Sequence, residues 1–311
     1  AEHATRRLNE AFELVKKRYR GMFSPNETIE LDSDAVVRLM RELASYSISQ
    51  DPEMLARGFE GFLNEHTRRF GQFLTPRNVV RFMIDMLQPG VEDTVIDPAC
   101  GTGGFLLECM EHVRRAYGKH ESRDFSGQRI YGIDVNSDVV SIAKMNMILH
   151  GDGSSKIFLG DALLKLPAEV ESVLAKGGFD VVVVDPPWSG EISANVPDYR
   201  FARGRRSRQA HVFFIERALQ LAKTHGRIGI IVPENLLFAQ DLQSVRSFIL
   251  DSAFVRAIVT LPQGAYLPFS ATRAGALILE KKELGQKEDY EVFMAEADCD
   301  DSLISIAARF R

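Results

Sequence analysis

Short apolar runs alternate with amphipathic stretches through most of the chain. Seven runs, rich in β-branched residues, are separated by segments whose apolar residues recur at helical spacing. Such runs predict strands buried on both faces, and the segments between them predict helices. The predicted strands are 94–97, 129–134, 156–162, 181–184, 226–233, 257–260 and 275–279. The pattern predicts an α/β fold with a doubly wound, mostly parallel, seven-stranded sheet.

The first seventy residues have a different pattern. Apolar residues recur there at helical spacing in three stretches, at about 8–19, 36–44 and 55–62. Asp32 or Ser33 is a suitable N-cap for the second stretch, and Pro52 suits the first turn of the third. We therefore predict a small helical module over residues 1–69, with a packing or partner-binding role, and a larger α/β domain over residues 70–311.

Composition limits the class of protein. The 311 residues suffice for one large α/β domain and a small additional one. No apolar run is long enough to span a bilayer, and the charged N-terminus is unlike a signal peptide. The three cysteines have no metal-binding spacing. We predict a cytoplasmic protein without a membrane segment or a metal. The net charge of −5 argues against a uniformly basic surface but leaves room for a local basic patch.

An aspartate follows the apolar run of four of the predicted strands. These residues are Asp97, Asp134, Asp161 and Asp185. Strand ends have no general need for carboxylates, so the repetition points to function rather than packing. Because the carboxyl ends of parallel strands meet at one edge of a sheet, we expect a ligand site there.

A glycine-rich turn follows the first of these acids. Residues 98–104 read Pro-Ala-Cys-Gly-Thr-Gly-Gly and lead into an amphipathic stretch. A strand, a glycine-rich turn and a helix in succession let the backbone approach a cofactor closely. The turn has neither the dinucleotide fingerprint nor the Gly-Lys-Ser/Thr of a phosphate loop, so phosphate binding is not indicated. By itself the turn is a weak signal.

The fourth strand, a run of four valines, ends in Asp185-Pro186-Pro187-Trp188. Proline has no N–H for a β-ladder, so the strand must stop there. A carboxylate, rigid carbonyl acceptors and the only tryptophan of the chain would suit a flat ring that carries an amino group. An ordinary turn beside an aromatic residue is the alternative interpretation.

Two later loops could line a site. The loop after Trp188 carries four arginines, which could contact phosphates or could form a solvated surface: Arg203, Arg205, Arg206 and Arg208. The loop over 261–272 carries Tyr266 and Phe269, which could form the wall of a base pocket. Ordinary loop packing is the favoured interpretation for that second pair.

Taken together, these segments resemble the modification (methyltransferase) subunit of type I restriction-modification systems, adenine-specific and of the γ arrangement. In chain order, 71–77 is similar to motif X, 97–105 to motif I, 132–134 to motif II, 160–162 to motif III and 185–188 to motif IV. The resemblance covers roughly residues 50–296. It implies a Rossmann-like class I methyltransferase fold that transfers a methyl group from S-adenosylmethionine to N6 of adenine in DNA.

The resemblance also implies roles for individual residues. The implied cofactor contacts are Phe73, Thr75, Asp97, Ala99, Cys100, Gly101, Thr102, Gly103, Asp134, Val135, Asp161 and Ala162. The implied catalytic residues are Asp185, Pro186, Pro187 and Trp188. Asp185 and the Pro186 carbonyl would accept hydrogen bonds from the target amino group, and Trp188 would stack on the flipped base. Thr75 is also expected to cap the next helix, with Pro76 in its first turn.

The implied partners are DNA, a separate specificity (target-recognition) subunit and, as a further candidate, a restriction subunit. The sequence departs from the resemblance because type I members usually have Asn-Pro-Pro-Phe in motif IV. The helical N-terminal region is also short for such a subunit, and no target-recognition domain is visible. Two alternatives remain open: a methyltransferase of the same fold acting on RNA or on protein glutamine, and a scaffold that binds S-adenosylmethionine without turnover.

Overall fold

The computed structural model describes residues 2–19, 23, 25–44, 75–151, 156–188, 199–201, 209–266, 272–287, 289–300 and 303–308. The strands in these ranges are β1 (Val95–Asp97), β2 (Ile130–Asp134), β3 (Lys156–Leu159), β4 (Phe179–Val184), β5 (Ala222–Pro233), β6 (Ala253–Thr260), β7 (Ala274–Lys281), β8 (Phe293–Asp300) and β9 (Leu303–Ala308). The helices are α1 (Glu2–Arg18), α2 (Ser33–Leu43), α3 (Arg77–Leu87), α4 (Gly104–Tyr117), α5 (Lys119–Arg129), α6 (Ser137–Leu149), α7 (Ala168–Leu174), α8 (Ala210–Leu221) and α9 (Gln243–Ser252). Two short 3-10 turns, Glu234–Leu237 and Gln240–Leu242, precede α9.

The strands form one sheet in the order β3-β2-β1-β4-β5-β7-β6-β8-β9. The first five strands are parallel, and β7 runs antiparallel between β5 and β6. Ile96 of β1 pairs with Tyr131 on one side and with Val182 on the other. The chain therefore reverses its direction of travel across the sheet at β1 and β4, which is where ligands bind in open α/β sheets. The predicted doubly wound, mostly parallel α/β fold is confirmed.

The predicted number of seven strands is wrong, because β8 and β9 extend the sheet to nine within the described residues. The sequence predicts no strand after residue 279, and the Ala, Asp and Glu residues of β8 are poor strand formers. The free edge of β6 overrides this preference: β8 pairs with it in parallel, and β9 pairs antiparallel with β8.

The core lies on both faces of the sheet. Val182 and Val184 of β4 pack with α7, α8 and α9, whereas Val181 and Val183 pack with α3, α4 and α6. All four valines are fully buried. Because successive strand residues point to opposite faces, a continuous apolar run is what a strand covered on both sides requires.

Helix α1 makes polar contacts with the segment that leads into α2. Asn9 donates to the Ile29 carbonyl at 3.0 Å and accepts from the Ile29 N–H at 2.8 Å. Asp32 caps α2 by accepting from the Ala35 N–H at 2.7 Å, which confirms one of the two predicted caps. The third predicted helix and the proposed boundary at residues 69 and 70 lie outside the described residues, so the domain division stays a prediction.

The described helices include none whose length and apolar character would let it cross a membrane. Within the same residues, no cluster of histidine, cysteine, aspartate and glutamate could hold a metal ion.

Candidate active site

The structure brings the four strand-end acids to one edge of the sheet. Asp97 and Asp134 are the last residues of β1 and β2, Asp161 lies two residues after β3, and Asp185 directly follows β4. Since these strands are adjacent and parallel, their carboxyl ends open onto a shared space.

The glycine-rich turn is held in place by backbone hydrogen bonds. The Cys100 N–H donates to the Ile133 carbonyl at 2.9 Å, and the Gly103 N–H donates to the Cys100 carbonyl at 2.8 Å. Gly101 and Gly103 have φ angles of 53° and 84°, a region that residues with a side chain rarely occupy. A side chain at either position would strain the turn.

Asp134 links the end of β2 to this turn. One carboxylate oxygen accepts from the Gly101 N–H at 3.0 Å, and the other accepts from the Asn136 N–H at 2.9 Å. The side chain is buried. Each carboxylate oxygen can accept a second hydrogen bond, so Asp134 retains capacity for a ligand hydroxyl.

These surroundings fit an adenosine-bearing cofactor. A Cβ atom built on Gly101 would meet no atom within 4 Å, so the turn faces open space. Val135, beside Asp134, is 66% exposed and offers an apolar surface to a ring. The carboxylates of Asp134 and Asp161 supply acceptors on the same edge. Asp161 already accepts from the Leu163 N–H at 2.8 Å, and Ala162 next to it is buried.

Asp97 is a buried carboxyl group at the same edge of the sheet. Burial raises the pKa of its carboxyl well above the usual range, the hydrogen bond from the Ala99 N–H at 3.0 Å opposes the rise, and the nearby Asp134 and Asp185 carboxylates add to it. A positive charge beside these carboxyl groups would offset the cost of ionising them, so the site favours a cationic ligand. A sulfonium cation meets that requirement.

Asp185 is held by two hydroxyl groups from distant parts of the chain. Its Oδ2 accepts from Thr75 Oγ1 at 2.7 Å and from the Tyr266 hydroxyl at 2.9 Å. Burial raises the pKa of Asp185 to about 6, and interactions with Thr75, Tyr266 and Trp188 oppose that rise. The carboxylate is therefore ionised at neutral pH but poorly solvated.

The predicted capping role of Thr75 is wrong. The helix begins at Arg77 and Pro76 occupies the N-cap position, and in the first turn the Val79 N–H donates to Asn78 Oδ1 at 2.9 Å. The Thr75 hydroxyl points instead to Asp185, 110 residues away in sequence. A hydrogen bond donated to an ionised carboxylate is a strong one, so this contact stabilises the position of Thr75.

Trp188 lies beside the acceptor without being sealed into the core. Its ring is half-buried and meets the Tyr266 ring edge to face, with centroids 4.5 Å apart and an interplanar angle of 62°. The adjoining Pro186 is buried and Pro187 is exposed. Within the described residues the buried indole N–H completes no hydrogen bond, but it lies near enough to Asp185 to lower the pKa of that carboxyl. The turn thus keeps an aromatic face next to Asp185.

Tyr266 is the site residue that the sequence undervalued. Ordinary packing was the favoured interpretation of its loop, yet its hydroxyl reaches the carboxylate of Asp185. The available signal was topological: the loop leaves β6 at the same edge of the sheet as β4. Phe73, Phe269 and the arginines at 203, 205, 206 and 208 lie outside the described residues, so their predicted roles stay predictions.

Residues 50–306 match the family model described as N-6 DNA Methylase. The chain belongs to the N-6 DNA methylase family. In Escherichia coli, the type I restriction enzyme EcoEI methylase subunit is 27% identical over 252 residues, which are 79% of this chain and 50% of that protein. The chain thus spans about half the length of this relative.

Solved structures show the same fold as this N-6 DNA methylase chain. A modification subunit of a putative type I restriction enzyme from Vibrio vulnificus has a TM-score of 0.68 at 24% identity, over 83% of this chain and 54% of that one. A putative class I S-adenosylmethionine-dependent methyltransferase from Listeria monocytogenes has a TM-score of 0.69 at 19% identity, over 95% and 93%. The predicted class I methyltransferase fold is confirmed.

Proposed function

We propose that the chain is the catalytic part of an S-adenosylmethionine-dependent DNA methyltransferase that modifies the N6 amino group of adenine. The observation that carries the proposal is that the turn proposed to bind the target base lies next to the turn proposed to bind the cofactor. The Asp185-Pro186-Pro187-Trp188 turn leaves β4, and the glycine-rich turn leaves the neighbouring strand β1. Membership of the N-6 DNA methylase family supports the same chemistry.

S-adenosylmethionine would supply an activated methyl group on a sulfonium. The backbone from Ala99 to Gly103 would contact the cofactor, Asp134 would accept from its ribose hydroxyls, and Asp161 would accept from its adenine amino group. Val135 would pack against the ring. Each assignment uses a group that already faces the same edge of the sheet.

Asp185 and Pro186 would prepare the target nitrogen. The lone pair of an aromatic amine is delocalised into its ring, and accepting both N–H groups favours a more pyramidal, nucleophilic nitrogen. Oδ1 of Asp185 and the Pro186 carbonyl are the acceptors. Positioning and stabilisation of the growing positive charge then account for most of the catalysis. The face of Trp188 would hold the flipped base, whose extrusion costs about a few kcal/mol.

The partners follow from the same proposal. DNA is the substrate, with phosphate contacts from the arginines between residues 203 and 208. The Escherichia coli relative is described as a methylase subunit, which supports a separate specificity subunit and a restriction subunit as further partners. An enzyme of this kind acts on cellular DNA in the cytoplasm.

Methyl transfer to three acceptors tests the proposal. The native protein and its Asp185→Ala variant would be supplied with tritiated S-adenosylmethionine and with duplex DNA, RNA or protein. We expect label in DNA adenine for the wild type, a loss of about 100-fold or more for the variant, and unchanged cofactor binding by calorimetry. Label in RNA or in protein glutamine would replace DNA as the substrate, and cofactor binding without label in any of the three acceptors would leave only a scaffold role.

A further inference from the structure

Thr75 and Tyr266 form a clamp on the catalytic carboxylate, defined by their two hydrogen bonds to Oδ2 of Asp185. We infer that this clamp makes the site dependent on a carboxylate, so that asparagine at position 185 is inactive unless the two hydroxyl groups are also removed. The inference rests on the proposed function and assigns Thr75 and Tyr266 as positioning residues for it.

The clamp gives the two carboxylate oxygens of Asp185 different hydrogen-bond partners. Both hydroxyl donors reach Oδ2. The Trp188 side chain also lies close enough to Asp185 to lower the pKa of its carboxyl, so the indole N–H is a third donor beside the carboxylate. Thr75 precedes α3 and Tyr266 follows β6, so two separate parts of the fold fix the orientation of one group. Oδ1 is thereby left to accept from the target amino group.

An asparagine at position 185 cannot accept hydrogen bonds from both the clamp and the target amino group. Its side chain has one acceptor oxygen and one NH2 donor. If its oxygen accepts from the clamp, the NH2 group faces the target amino group, and two donors meet. Methyl transfer then loses the acceptor that the proposed reaction requires.

The opposite amide orientation is disfavoured by burial. It would require the two hydroxyl groups to accept hydrogen bonds and to turn their own protons elsewhere. Tyr266 is 4% exposed, and its hydroxyl has no other hydrogen-bond partner in the part of the chain that the structure describes. A buried hydroxyl proton without a partner is costly, so the amide oxygen stays with the clamp.

Conservative variants can remove the clamp without removing its packing. Tyr266→Phe deletes the hydroxyl and keeps the ring that meets Trp188 edge to face. Thr75→Val replaces the hydroxyl with a methyl group of similar size. Tyr290→Phe is a matched control, because the Tyr290 hydroxyl contacts the Val255 N–H rather than Asp185.

The test compares methyl transfer by the native protein, purified with its partners from its own host, on DNA from a strain that lacks the gene. We expect Asp185→Asn to reduce the rate of methyl transfer about 100-fold or more. The triple variant, which adds Thr75→Val and Tyr266→Phe, should be about tenfold faster than Asp185→Asn alone. Asp185→Asn with Tyr290→Phe should recover nothing. Asp185→Asn, alone or with Tyr290→Phe, should bind S-adenosylmethionine as the wild type does, by calorimetry, and the rate of the triple variant is compared at a saturating cofactor concentration.

Two results would overturn the clamp while leaving the proposed function intact. One is an Asp185→Asn enzyme within about threefold of the wild-type rate. The other is a triple variant that binds cofactor normally but is no faster than Asp185→Asn alone. A wild-type protein that methylates no DNA would overturn the proposed function itself, and the role of the clamp with it.

Discussion

At the scale of single residues, the burial of Asp185 lowers the stability of the folded state but places its carboxylate where the proposed reaction needs an acceptor. The proposed reaction uses its carboxylate as an acceptor for an amino group, and burial raises the pKa of that carboxyl to about 6. Neighbouring Asp97 is also buried and its pKa is raised further by Asp185. Groups of this kind are typical of functional sites, where local stability is commonly lower than the fold could reach.

Asp185→Asn should therefore stabilise the cofactor-free protein at high pH. The pKa of Asp185 is raised on folding, so the folded state carries an energetic cost above pH 6 that disappears as the pH falls through about 6 to 4. We expect the free energy of unfolding of the variant to exceed that of the wild type by about 1–3 kcal/mol at pH 8. Urea unfolding at pH 8 and at pH 4.5 measures both values. An equal or larger gain at pH 4.5 would contradict this account.

At the scale of elements, the connection between β1 and α4 depends on backbone shape. Gly101 has φ of 53° and faces open space, so a side chain there would strain the turn and occupy the proposed cofactor site together. Gly285 has φ of 80° and likewise has no neighbour that a Cβ would meet, but it lies after β7. Comparing substitutions at these two glycines therefore distinguishes the effect of backbone strain from the effect of blocking the proposed cofactor site.

Gly101→Val should weaken binding of S-adenosylmethionine about tenfold or more, whereas Gly285→Val should leave it unchanged. Both variants should lose about 1–2 kcal/mol of stability, because both place a branched side chain at positive φ. Calorimetric titration and thermal unfolding measure the two effects. Equal losses of affinity in both variants would show that strain alone is responsible.

The elements also show what the sequence could predict. The valine run of β4 was recognisable because burial on both faces requires continuous apolar residues. The strand β8 was not, because its Ala, Glu and Asp residues gain their conformation from pairing with β6. Thr75 and Tyr266 were misjudged for a related reason: their hydrogen bonds to Asp185 join residues 110 and 81 positions apart. No local pattern records such a contact.

At the scale of the whole molecule, the strand order places the proposed cofactor site next to the proposed base site. β1 lies between β2 and β4, so the residues proposed to hold the cofactor and those proposed to hold the base meet on either side of one strand. The proposed cofactor contacts come from the ends of three strands. A ligand bound to them should stabilise the folded state as a unit.

Saturating S-adenosylmethionine should raise the unfolding temperature by several degrees, since ligand at about 100 times Kd contributes about 2.7 kcal/mol. Asp134→Ala should abolish most of this rise by removing an acceptor for the ribose and the brace on Gly101. Asp124→Ala, an exposed change on α5, is the control and should keep it. A full thermal shift in Asp134→Ala would exclude Asp134 from the cofactor site.

Mapping of N6-methyladenine in genomic DNA tests the central claim most directly. DNA would be compared from cells with the wild-type gene, from cells without it and from cells carrying Asp185→Ala. We predict methylated adenines within a defined sequence in the first sample and their absence from the other two. The same methylation pattern in all three samples would contradict the claim that this site transfers methyl groups to DNA.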